Sequence, residues 1–283
     1  MVDEAGSPAA AVGRILVLLD GSPLSRSALA AAAEIAHQKG APVLGIFVDD
    51  TNLIRSAGYG FAREVGGMSG QIRPVDRARL QARMDHLARE AALALERVTS
   101  GRGMPQELIR CRGQVVSEVR QLARSDDLLI LGRVGWSGGP GARLGSTARA
   151  LLRDSPGEVL LWTERPRRPR GRVVVLINHD QAANQRVLQV GAELARWHHQ
   201  PLTVLVRGRG DDGAVPARLR TQLQALGAQA RIRVLAQQAP TLADVLAQEN
   251  ASHLVVSRGS RLLADPAGDS MLASLDLALT VTP

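Results

Sequence analysis

The sequence predicts an α/β protein made of two doubly wound domains in tandem, each a five-stranded parallel sheet with helices on both faces. Three observations carry this. Short runs rich in Val, Ile and Leu alternate with segments of helical period. Those runs are continuously apolar rather than alternating, as in parallel strands buried on both faces. The same order restarts after Arg165-Pro-Arg-Arg-Pro-Arg-Gly171, whose Pro and Arg content makes an extended linker. Domains are therefore expected at 1–164 and 172–283, with 165–171 between them. At about 150 residues per domain, 283 residues fit two, and 45% hydrophobic residues suffice for a core in each.

In the first half, strands are expected at Arg14–Leu19, Pro42–Val48, Glu107–Cys111, Asp127–Leu131 and Glu158–Trp162. The first helix has clear ends: Ser22 as N-cap, Pro23 at the first helical position, Gly40 just past the last. Leu80, Met84, Leu87, Ala91, Leu95 and Val98 follow 4-3-4-4-3 spacing, the stripe of a helix lying on the sheet. The glycine-rich stretch Thr51–Pro74 reads as a loop, either a mobile flap over a site or a segment without fixed structure.

The second half repeats the order in 112 residues against 149, part of the loss being that excursion. Its strands are expected at Val173–Ile177, Leu202–Val206, Arg231–Ala236, His253–Ser257 and Ala278–Thr282. Helices are expected near Asp180–Trp197, Pro216–Leu226 and Thr241–Gln248.

Composition narrows the function. The net charge is +8, and Lys39 is the only lysine beside 34 arginines. Six aromatic residues are too few for a base-stacking platform, so nucleic acid is not the expected partner. A single cysteine, Cys111, excludes an internal disulfide and a Cys-based zinc finger, and reads as a small buried hydrophobe. No two histidines stand at i,i+4, so no metal site is indicated. Asp3 and Glu4 stand where a signal peptide needs positive charge, and no stretch reaches the roughly 18 apolar residues of a membrane span. A cytoplasmic protein is expected.

The chemistry-bearing motif follows the fourth strand: Leu131-Gly132-Arg133-Val134-Gly135, nine residues, then Gly145-Ser146-Thr147 opening a helix. Glycines let backbone N–H groups approach an anion, and a helix N-terminus adds unpaired amides and a positive dipole end. With about one glycine in ten, three at fixed spacing arise by chance about 0.3 times in such a chain, and the following Ser lowers that to a few hundredths. The alternative role for Ser146 or Thr147 is a plain N-cap. Gly208-Arg-Gly210-Asp-Asp-Gly213 fits a dinucleotide pattern, but Asp211 and Asp212 would face a pyrophosphate, so it reads as a loop.

Strand, GxxG, nine residues, GS and helix together resemble the ATP-binding signature of the universal stress proteins. Leu-Leu-Asp20-Gly-Ser22, Phe47-Val48-Asp49 and Arg112-Gly113-Gln114 are similar to that family too. The resemblance implies that Asp20 and Val48 border an adenosine. It implies that Gly132, Gly135, Gly145, Ser146 and Thr147 hold ribose and phosphates, with Leu131 alongside and Arg133 and Arg143 as phosphate-neutralising cations. The implied cofactor is ATP. Magnesium is left open, since Asp20 and Asp49 are the only carboxylates at hand.

The second half departs from the pattern. Asn178 replaces the aspartate, Val256-Ser-Arg258-Gly-Ser-Arg261 replaces the GxxG turn, and no GS step follows. One nucleotide site per chain is expected. The resemblance further implies that Glu158–Trp162 and Ala278–Thr282 pair across the halves as an intramolecular pseudo-dimer, with exposed edges left for a homodimer. The expected role is an ATP-responsive stress regulator acting on an unknown protein partner. The rivals are a slow ATPase or autokinase and a nucleotide-independent scaffold.

Overall fold

The computed structural model describes residues 12–65, 70–135, 144–163, 171–207, 214–235 and 241–283. The first half runs β1 (Ile15–Leu19), α1 (Pro23–Lys39), β2 (Val43–Asp50), α2 (Thr51–Ser56), β3 (Arg63–Val65), β4 (Ile72–Pro74), α3 (Arg77–Thr99), β5 (Gln106–Gly113), α4 (Val115–Leu122), β6 (Leu128–Gly132), α5 (Ser146–Asp154) and β7 (Glu158–Trp162). The second runs β8 (Arg172–Ile177), α6 (Gln181–Trp197), β9 (Leu202–Arg207), α7 (Ala214–Ala225), β10 (Ala230–Leu235), α8 (Leu242–Gln248), β11 (Ala251–Ser257), α9 (Arg261–Ala264), α10 (Pro266–Ser274) and β12 (Ala278–Thr282).

Local chemistry sets the boundaries. The Ser22 hydroxyl accepts the Ser25 N–H at 3.0 Å and starts α1, and Gly40 ends it in the left-handed region at φ +62°. Asp76 and Asp180 cap α3 and α6 in the same way. Met84, Ala91 and Leu95 of the expected stripe are buried, and Leu87 and Val98 pack beside them.

All ten expected strands join one sheet in the order β10-β9-β8-β11-β12-β7-β6-β1-β2-β5. Neighbours are parallel except at the centre, where β12 meets β7 antiparallel with Thr280 opposite Leu160. The last strands of the two halves thus pair as the resemblance implied. On either side of that seam the strand order is the same, with each half's first strand beside its fourth. One apolar cluster, from Leu16 and Leu151 to Leu254 and Val281, runs under both halves, while α1 with α3 and α6 with α7 cover the opposite face separately.

The structure corrects the reading of Thr51–Pro74. Asp50 accepts the Asn52 N–H at 2.9 Å and starts α2, and β3 pairs antiparallel with β4. The stretch carries a helix and a hairpin rather than a bare loop; residues 66–69 lie outside the described residues, as does 164–170 of the expected linker. Among the described residues, no helix is long and apolar enough to cross a membrane.

Candidate functional site

In a doubly wound sheet the strand order reverses between two neighbours, and the crossover helices part there to leave a crevice at the carboxyl ends. In the first half that point lies between β1 and β6, and a cavity of about 640 Å³ opens there. Asp20, Val48, Leu131, Gly132, Arg133, Gly135, Gly145, Ser146 and Thr147 all line it. Arg143 lies outside the described residues.

Backbone geometry draws these residues together. Gly21 sits at φ +79°, and a Cβ there would lie 2.4 Å from a Leu87 methyl, so only glycine lets the chain turn from β1 into α1 under α3. The turn aims the Asp20 carboxylate at the GxxG loop. One oxygen accepts the Ser22 N–H at 2.9 Å; the other lies 2.8 Å from where a Cβ on Gly135 would be. The Gly145 N–H donates to the Arg133 carbonyl at 2.7 Å, seating the start of α5 against the same loop.

The opening of α5 lies in the lining of this cavity. Its N-cap is Gly145, and no side chain caps it. The Ser146 and Thr147 hydroxyls make no hydrogen bond among the described residues, so the plain N-cap role is not the one either fills. First-turn amides, two hydroxyls and the positive end of the helix dipole therefore face the cavity. The other end is walled by Val48, Phe47, Leu53, Met84 and Leu87, with the polar Asp50, Asn52 and Ser56 beside Leu53.

Two charged residues do other work than the sequence suggested. Arg133 is buried, and its guanidinium donates to the carbonyls of Leu272 and Leu277 in the second half. Burial pulls its pKa down, with Asp276 opposing. The cation expected to neutralise phosphate is thus bonded across the molecule. Asp49 pairs with Arg110, which also bonds Asp85, so it does not stand beside Asp20 as a magnesium ligand. Among the described residues no cluster of three metal-ligating side chains exists. Cys111 is half-buried on β5, its thiol pushed up chiefly by burial and then by Glu118.

Local reading missed Asp50, Asn52 and Ser56, brought into the lining by α2. The signal was available in Asp50-Thr51-Asn52, a capping sequence overlooked because glycines follow it.

The second half has a cavity of about 610 Å³ at the equivalent reversal, lined by Asn178, Arg207, Ser260, Arg261 and Asp265 among others. Its chemistry differs. Asn178 donates to the Ser257 hydroxyl at 2.7 Å, and Asp265 precedes α10 where Gly145 precedes α5. A carboxylate there opposes a phosphate.

Fold and site together define a doubly wound α/β protein whose first half carries a crevice lined by the uncapped start of α5. The model of the universal stress protein family matches residues 11–162, just over half of the chain, and the protein belongs to that family. A universal stress protein of Mycobacterium tuberculosis strain H37Rv is 28% identical over 154 residues, 54% of this chain and 49% of that one. The chain thus spans about half the length of the curated relatives it matches. A universal stress protein structure from Archaeoglobus fulgidus DSM 4304 covers 96% of this chain and 97% of its own at 15% identity, with a TM-score of 0.69. A putative universal stress protein from Pseudomonas aeruginosa UCBPP-PA14 covers 96% and 94% at 16% identity, TM-score 0.60. Both show the fold over the whole length.

Proposed function

We propose that the first-half cavity binds ATP and that the protein is a nucleotide-responsive regulator in a stress response, read by a protein partner. The observation that carries this is the uncapped start of α5, whose amides and the Ser146 and Thr147 hydroxyls face a crevice closed at its other end by apolar side chains. That polarity matches phosphates at one end and a base at the other. Universal stress proteins have been solved with dAMP, from Archaeoglobus fulgidus, and with cAMP; in this chain the reading rests on the cavity's own residues.

Asp20 is placed to accept ribose hydroxyls, since its carboxylate borders both the β1 end and Gly135. The test is calorimetric titration with ATP. Gly145→Glu sets a carboxylate at the phosphate end and is expected to weaken binding by at least a hundredfold. ATP affinity unchanged by that substitution contradicts the reading.

A further inference from the structure

Arg133 has a counterpart. Each half has one arginine directly after its fourth strand: Arg133 follows β6, and Arg258 follows β11. Arg133 donates to the carbonyls of Leu272 and Leu277; Arg258 donates to those of Leu152, at 3.3 Å, and Gly157, at 2.7 Å. Leu152 and Leu272 are each the seventh residue of a nine-residue helix, α5 and α10. Gly157 and Leu277 each directly precede the half's last strand. The two arginines therefore make the same pair of bonds, each into the other half. Burial pulls both guanidinium pKa values down, and each has a carboxylate of the opposite half nearby, Asp276 and Asp154.

Each arginine also belongs to a cavity. Arg133 lines the first, and its carbonyl holds the Gly145 N–H. The residues directly after Arg258, from Gly259 to Leu262, line the second. The helices they grip supply the other walls: Ser146, Thr147 and Ala148 of α5 line the first cavity, Gly268 and Met271 of α10 the second. The turn of each cavity thus holds the helix of the other.

We infer that these crossed arginines couple the two cavities: Arg258 is a positioning residue that fixes α5 for the phosphate end of the first site, and Arg133 carries occupancy of that site to α10. The inference rests on the proposed nucleotide site for its ligand, but the contacts exist without one. A ligand that pulls on the Arg133 turn and the start of α5 acts on groups bonded directly to the second half. By linkage, a second ligand whose affinity at α10 is changed by the nucleotide changes nucleotide affinity by the same factor. Both bonds in each pair are charge-assisted, those of Arg133 buried and those of Arg258 part-buried, so a shift of either turn is passed to the carbonyls it holds.

The test is amide hydrogen exchange on the full chain, with and without ATP. Wild-type protein is expected to slow exchange in residues 268–277 on binding ATP. Arg133→Gln, held at an ATP concentration giving one bound nucleotide per chain, is expected to lose that response. Arg258→Gln is expected to weaken ATP binding at least fivefold and to speed exchange in residues 146–157 without nucleotide. Arg258→Lys keeps the charge but cannot reach two carbonyls in the guanidinium's fork geometry, so it should fall between. A merely structural arginine would lower stability throughout and leave the ATP response of α10 in place. That response persisting in Arg133→Gln, or unchanged α5 exchange in both Arg258 variants, overturns the coupling. Failure of wild-type protein to bind ATP removes the nucleotide reading instead, and the nucleotide-free exchange of residues 146–157 still decides the role of Arg258.

Discussion

Two glycines of the site, given the same substitution, should behave differently. Neither needs a left-handed backbone: Gly145 sits at φ −71°, and Gly135 is not among the positive-φ residues. The difference is in what a methyl group would meet. On Gly145 it would lie 3.4 Å from the Arg133 carbonyl oxygen, an ordinary contact. On Gly135 it would lie 2.8 Å from Asp20 Oδ2, closer than real Cβ atoms come to their neighbours. The carboxylate must rotate away, straining or breaking the 2.9 Å bond it accepts from the Ser22 N–H at the start of α1. A hydrogen bond to a charged group contributes about 1.5–3 kcal/mol when buried, so this partly exposed one should cost about 1 kcal/mol of stability. ATP binding should suffer in addition, because Asp20 leaves the position from which it faces the ligand. We expect Gly135→Ala to weaken ATP binding roughly tenfold, about 1.4 kcal/mol. Gly145→Ala should change it less than threefold. Calorimetric titration of both variants beside wild type is the assay, with denaturant unfolding to separate affinity from stability. Equal losses in the two variants, or a greater loss in Gly145→Ala, would refute this steric argument.

Three further predictions follow from the same structure. His253 is buried on β11 against the Thr280 hydroxyl, and burial lowers its pKa to about 3. Between pH 6.5 and 3 the unfolded chain takes up a proton that the folded chain refuses, so stability should fall there by up to about 1.4 kcal/mol per pH unit. Unfolding midpoints across that window should show a shallower fall in His253→Asn, and identical slopes would contradict the assignment. Asp269 of α10 bonds Arg153 at 2.7 Å and faces Arg149 at 3.5 Å across the seam between the halves. Asp269→Asn should cost about 2 kcal/mol, read as a melting temperature lower by roughly 4–8 °C; an unchanged melting temperature would remove the pair from the stabilising contacts. Because burial raises the Cys111 thiol pKa, its labelling by a thiol reagent at pH 7.5 should be much slower than that of a free cysteine and should accelerate on denaturation. Equally fast labelling in native protein would contradict the raised thiol pKa.

The strands were legible because a sheet covered on both faces demands continuous apolar runs, and Ile15–Leu19, Leu128–Gly132 and Val173–Ile177 provide them almost uninterrupted. The helix ends were legible where a cap is local, as at Ser22 and Gly40. The residues lining the first cavity were legible as a constellation because backbone access to an anion requires glycines at fixed spacing. What escaped was non-local. Nothing near Asp49 announces Arg110, its partner 61 positions away, nor does the sequence around Arg133 reveal a reach of 139 residues to Leu272. The hairpin β3–β4 escaped for a different reason: Gly66, Gly67 and Gly70 weigh against strand, yet Val65 pairs with Ile72 across them.

The central claim is one nucleotide site per chain, in the first half. It is tested most directly by equilibrating the full chain with excess ATP, removing free ligand, denaturing the protein and counting the adenine nucleotide released by mass analysis. One nucleotide per chain, abolished by Gly145→Glu, is the result this account predicts. None would contradict the nucleotide site itself, and two would contradict the argument that Asn178 and Asp265 exclude ATP from the second cavity.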